Sequence, residues 1–246
     1  MTLQLTKPKP APVVRTEPAA ESRIDLRRRH WLWLLASFPF AFAVPFLLAD
    51  TLDLNRDLFY GLYALAVAGF VAAWARDTRL TRLDLLRNWR WGLALGTLGA
   101  AATAFIVFRT EDATDGTGGL ELVTAILWRG VLYGATDGVL LSVFPILAVF
   151  AAFAGTRLRQ RMAGKVAIGT IAMVASIGIT AVYHLGYSDF RSEKVRKPIV
   201  GDVIWSAPTL ATLSPFGAPV AHMGLHVSAV VHSSETETFL PPHENP

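Results

Sequence analysis

The 246-residue chain contains no cysteine. Disulfides, thiolate metal sites and thiol nucleophiles are thereby excluded, and any metal centre must be built from histidine and carboxylate. Histidine is itself scarce, six in all, too few to fill the several His-rich boxes of a membrane di-iron oxidase. Charge is sparse as well: Asp, Glu, Lys and Arg make up 17% of residues against 52% hydrophobic, and the mean hydropathy is +0.40. Such a balance excludes an ordinary soluble domain and points to a bilayer as the solvent. Also missing are an HExxH zinc helix, a GxSxG nucleophile elbow, a phosphate-binding glycine loop and any repeat of fixed period.

What is present is a series of apolar runs close to the ~20 residues that carry a helix across a ~30 Å hydrocarbon core. Clear runs fall at 31–48, 58–75, 91–108, 139–155 and 166–185, with further stretches at 120–135 and 216–231. The expectation is an all-α, polytopic membrane protein, a bundle of six to seven transmembrane helices over 27–233. Residues 1–26, rich in Pro, Ala and charge, and 234–246 are expected as disordered tails. Pro39, Pro45 and Pro145 should bend the helices that contain them. Small residues such as Gly92, Gly96 and Gly99 should let helices approach closely.

The isoelectric point near 9.6 comes from arginines beside the apolar runs, so no nucleic-acid partner is expected. The cluster Arg27–His30 precedes a run of span length without a small-residue cleavage site, which makes it an uncleaved first helix with a cytoplasmic amino terminus in a bacterial plasma membrane. Acidic Asp50, Asp53 and Asp57, then basic Arg76, Arg79, Arg82, Arg87 and Arg90, then acidic Glu111, Asp112 and Asp115 alternate as that topology requires. Past residue 119 two topologies remain. Either 120–135 and 139–155 both cross, which puts Arg157, Arg159, Arg161 and Lys165 outside, or the first is re-entrant or interfacial.

Two features carry chemistry. His222 and His226 stand one helical turn apart in FGAPVAHMGLHVSAVVH, and His184 closes the run VAIGTIAMVASIGITAVYHL. Imidazoles at membrane depth are costly without a partner, and i, i+4 spacing is how two helix positions converge on one ion. The three histidines form a candidate ligand set for a zinc ion, with water or a carboxylate completing it; the bland alternative is that each ring merely bonds a neighbouring carbonyl, with no metal. The second feature is ELVTAILWRGVLYGATDGVLL, where Glu121, Arg129 and Asp137 recur every eight residues. On a continuous helix each is rotated about 80° from the last. Arg129 is expected to pair with Glu121 or Asp137, and either carboxylate is a candidate general base. Gly134 and Gly138 suggest a backbone break beside Asp137, and the proline-bearing stretch 206–219 suggests irregular backbone ahead of His222.

WRGVLYGA at 128–135 resembles the FRGxLxGAL part of the first motif of the CPBP family, the CAAX-processing and bacteriocin-processing intramembrane proteases. TAVYH, ending at His184, is similar to the family's FxxxH, and HMGLH, from His222 to His226, takes the place of its HxxxN or HxxxD. The likeness spans roughly 120–232. Thr124 and Ala125 stand where the family has a glutamate pair, Thr180 where it has phenylalanine, and His226 where it has asparagine. The resemblance implies a metal-dependent intramembrane hydrolase acting on a peptide or membrane protein, with Glu121 as substitute carboxylate, or a scaffold that has lost the activity. A small transporter with a proton or ion pathway, and a non-catalytic membrane scaffold, are the alternatives. Membrane lipid is the expected surrounding partner, and the oligomeric state is open.

Overall fold

The computed structural model describes residues 20–81, 86–115, 118–234, 236 and 239–242. Among these there is no strand, and five helices are long and apolar enough to cross a membrane. Helix α1, Ala20–Pro45, runs on into a π-helical stretch, Phe46–Thr51. It starts inside the segment expected as a tail; Asp25 and Arg29, one turn apart and paired at 3.0 Å, support the early turns. Residues 1–19 of that expected tail, and Arg82, lie outside the described residues. Proline at 45 removes one ladder donor, and the hydrogen bonds slip to the wider register just beyond it.

Helix α2 is Arg56–Asp77, capped by the Asn55 side chain accepting from Leu58 N, and α3 is Trp89–Thr110. The longest element is α4, Gly119–Ala152, whose apolar window is far more buried than that of any other span. It is continuous. The two stretches that the sequence separates at 136–138 form one rod, relaxed into π-helix at Ile126–Leu132 and Gly138–Val143. No break exists at Gly134 or Gly138; both glycines instead admit the backbone of a neighbouring helix. After α4 come α5, Met162–Leu185, α6, Arg196–Thr212, and α7, Gly217–His232. The irregular backbone expected over 206–219 shrinks to residues 213–216, because α6 tolerates Pro208 at its interior and α7 begins at Gly217.

A continuous α4 resolves the topology. At one end Trp31 packs on Phe153 with centroids 5.6 Å apart, Arg29 pairs with Asp77 at 2.6 Å, and Asn88 donates to the Thr212 carbonyl at 2.7 Å. At the other, Arg191 pairs with Asp50, Arg129 with Asp57, and His232 bonds the Glu111 carbonyl. The basic loop around Arg157–Arg161 therefore lies at the end that carries Arg76, Arg79, Arg87 and Arg90, so neither of the two topologies expected from sequence is needed.

Close approach of α7 to α3 and α4 holds the centre. A Cβ at Gly96 would lie 2.6 Å from the Gly217 carbonyl oxygen, one at Gly138 2.5 Å from Pro219 Cα, and one at Gly134 2.9 Å from the His222 carbonyl. The obstacles are backbone, so no side chain can be moved aside. Residues 239–242, inside the stretch expected as a tail, pack on the bundle. Rather than trailing away, Leu240 is wholly buried and Pro242 offers its carbonyl to Arg56 Nε at 3.1 Å. Backbone acceptors thus tie it to the bundle although its sequence has no helical periodicity.

Because the chain is naturally cysteine-free, single-cysteine variants at Asp112 and Arg159 should react with a membrane-impermeant maleimide from opposite faces; labelling of both from one face contradicts a single crossing by α4. Gly138→Val should destabilise the protein by about 1–3 kcal/mol through overpacking, measured against Gly118→Val, where open space surrounds the position.

Candidate metal centre

Three ligand-bearing side chains meet between α4 and α7. Asp137, His222 and His226 are all buried, and one ligand atom from each lies within 4.8 Å of the others. A zinc ion with ligands at ~2.1 Å needs donor atoms about 3–4 Å apart, so the group would have to contract by about one ångström. The helical spacing of the two histidines brings them to one face as the sequence predicts, with rings 6.3 Å apart and nearly parallel. Gly134, about one turn before Asp137, and Gly138, the next residue, let α7 come close enough for the carboxylate to reach the histidines.

The hydrogen bonds show which polar atoms of the group are already engaged. His226 Nδ1 lies 2.6 Å from the Phe239 carbonyl oxygen. A carbonyl only accepts, so Nδ1 carries the proton and Nε2 presents a lone pair. That lone pair lies 3.3 Å from Asp137 Oδ2, in no hydrogen bond. Two acceptors at such range in a buried site repel unless a positive charge, a proton or a metal ion, sits between them. Asp137 Oδ1 is held by the Tyr63 hydroxyl at 2.8 Å. His222 Nε2 lies 3.3 Å from Ser142 Oγ, and its Nδ1 has no partner among the described residues. Each of the three side chains is thus anchored through one polar atom and free at the other, the arrangement that orients ligands around an ion.

The third expected ligand takes another position. His184 Nδ1 donates to the Thr180 carbonyl at 2.8 Å, its ring packs edge-on to Phe190, and it does not join the close group. Asp137 replaces it there. His184 nevertheless lines the same cavity, with Tyr133, Asp137, Trp205, His222, His226, Phe239 and Pro241. That cavity, about 20 Å³, holds about one ion or water. With Nδ1 donating to Thr180, His184 Nε2 is the ring nitrogen left as acceptor.

The expected charge ring on α4 does not form. Arg129 makes a two-pronged bond to Asp57, Nε to Oδ1 at 2.8 Å and Nη2 to Oδ2 at 2.7 Å, and bonds neither Glu121 nor Asp137. Eight residues of helix rise about 12 Å, so the neighbour on α2 is nearer than either carboxylate on its own helix. Glu121 is exposed and lines a separate cavity of about 540 Å³ with Arg56, Asp57, Trp128, Arg129 and Leu240. Sixteen residues from Asp137 on one helix, it stands roughly 20 Å from the buried group. Leu240 borders the outer cavity while Phe239 and Pro241 border the inner one, so the carboxyl-terminal segment is the wall between them.

Sequence inspection misses several participants. Tyr63 sits in an unremarkable apolar run. Asp202, which counts in the sequence only as a loop charge, is wholly buried on α6. Its Oδ1 takes the Thr180 hydroxyl at 3.0 Å and lies 3.1 Å from Ser206 Oγ, which is 2.8 Å from Ser142 Oγ. A chain of hydroxyls therefore joins Asp202 to His222. Ser142, Ser176, Thr180 and Ser206 are small enough to pass as packing residues, and only their shared facing across three helices reveals the chain.

No protein-family model matches this chain, and no curated protein or solved structure matches it. The site's own geometry is what bears on function. Tyr63→Phe, which removes the hydroxyl from Asp137 and little volume, should preserve the fold and weaken transition-metal binding by about 10–100-fold, measured by competition with a chromophoric chelator. Unchanged affinity would show that Asp137 is not a ligand.

Proposed function

We propose that the chain is an integral-membrane, metal-dependent hydrolase of the plasma membrane, with its basic end cytoplasmic and with zinc held by Asp137, His222 and His226. The observation that carries this is that one nitrogen from each of two buried histidines and one carboxylate oxygen lie within 4.8 Å of one another, with Asp137 held by Tyr63 and His226 by the Phe239 carbonyl. The resemblance of WRGVLYGA, TAVYH and HMGLH to the CPBP proteases supports the same chemistry.

A zinc ion held by this donor set would activate water and polarise a carbonyl. His184, which lines the same cavity, would accept the proton from that water; Glu121 is too distant for the role the resemblance implies. Tyr63 and Ser142 hold the ligands in place. The substrate carbonyl, an amide or an ester, arrives from within the membrane or past the carboxyl-terminal wall, and Arg129, bound to Asp57 at the outer cavity, shapes that approach without touching the reacting atoms.

One observation favours a second function. The hydroxyl chain from His222 to Asp202 is a continuous polar path inside the bundle, as a proton-translocating protein needs. Element analysis of detergent-purified protein separates the two. A hydrolase should carry a stoichiometric transition metal that His222→Ala and His226→Ala both lose, and His184→Gln should keep the metal while peptide or ester turnover falls by about 10²–10⁴-fold. Metal-free wild type, together with proton flux into vesicles that depends on Asp202, would establish the transporter instead.

A further inference from the structure

A third cavity, about 410 Å³ and almost wholly apolar, runs along the surface between α3 and α6. Ile106, Val200, Ile204 and Leu225 form its walls, and Arg196 and Lys197 stand at one end. It opens where the flanking helices present large apolar side chains outward: Phe105 is 62% exposed, Phe108 51% and Val200 68%. On a transmembrane bundle such a surface faces acyl chains. The two cations occupy the first turn of α6, at the positive end of its helix dipole. Among the described residues, the ion pair made by Arg196 is to Glu193, long at 3.7 Å and highly exposed. An exposed pair of that kind contributes little and is readily displaced.

The inner end of this groove is specific. Trp205, Leu225 and Phe239 line both the groove and the small cavity holding Asp137, His222 and His226. A single layer of side chains separates them, and Phe239 is the residue whose carbonyl fixes His226.

We infer that the groove between α3 and α6 binds one anionic membrane lipid, an acyl chain lying along Ile106 and Ile204 and the phosphate headgroup on Arg196 and Lys197. Charge complementarity selects the headgroup, and the apolar wall selects the chain, since Thr103 and Thr110, which also line the groove, spend their hydroxyls on carbonyls of their own helix. The bound lipid would end against the partition formed by Trp205, Leu225 and Phe239. This site goes beyond the hydrolase function and holds whether or not a metal is present.

Native mass spectrometry of the full chain in detergent, titrated with phosphatidylglycerol and separately with phosphatidylcholine, tests it. Wild type should retain phosphatidylglycerol in preference, and Arg196→Ala with Lys197→Ala should weaken that lipid by roughly thirtyfold, from the usual contribution of two basic residues near an anionic headgroup, while phosphatidylcholine is unchanged. Ile204→Trp, which fills the groove, should lose the retained lipid; Val200→Trp, at an exposed mouth position, reports the same if the first variant folds poorly. Equal retention of both lipids by wild type, a preference that survives the double substitution, or undiminished lipid on both tryptophan variants each overturns the proposal. His222→Ala should retain lipid as wild type does, so loss of the metal and loss of the lipid are read separately.

Discussion

The contact between Asp137 and His226 is the constraint around which the bundle is organised. A carboxylate and an imidazole lone pair 3.3 Å apart, enclosed by hydrocarbon, are stable only with a cation or a proton between them. The surrounding structure shows no attempt to pull them apart. Tyr63 from α2 steadies the carboxylate, the Phe239 carbonyl sets the ring tautomer, and the glycines at 134 and 138 remove the side chains that would keep α7 away from α4. Lipid gives helices no hydrophobic reason to associate, so close backbone packing of this kind is also what holds the bundle together. The same glycines thus serve cohesion and site assembly.

The π-helical stretches on either side of Asp137 fit the same picture. A widened turn inserts a residue into the helix and rotates the turns beyond it, and such insertions are frequent at functional sites. Here Arg129 lies in the first stretch and faces α2 and the outer cavity, while Asp137 lies in the α-helical segment between the two and faces the interior. One helix therefore supplies two separate polar sites. The carboxyl-terminal segment lies between them and contributes a backbone acceptor to the inner one.

The fold class was legible because membrane helices are announced by length and hydropathy alone, and the paired faces of His222 and His226 came from helical spacing. Long-range partners were not. Arg129 had two carboxylates on its own helix within a plausible rotation, yet axial rise puts both out of reach and a residue on α2 takes the bond. His184 had the right neighbours in sequence but spends one nitrogen on the Thr180 carbonyl, and Asp137 occupies the place expected for it. The glycines that suggested a break mark an approach instead, since a missing Cβ has the same signature in sequence for either purpose. Ser142, Thr180, Asp202 and Ser206 were invisible as a group because each lies on a different turn or helix and only tertiary packing makes them adjacent.

X-ray absorption at the zinc edge of the purified, zinc-reconstituted protein tests the metal centre most directly, since it reports ligand chemistry at the ion itself. The predicted result is a sulfur-free shell of nitrogen and oxygen at about 2.0–2.1 Å, with the outer-shell scattering of two imidazoles, a signal absent from His226→Ala because that variant no longer retains the ion. A spectrum of hydrated zinc without imidazole scattering, unchanged by that substitution, would contradict it.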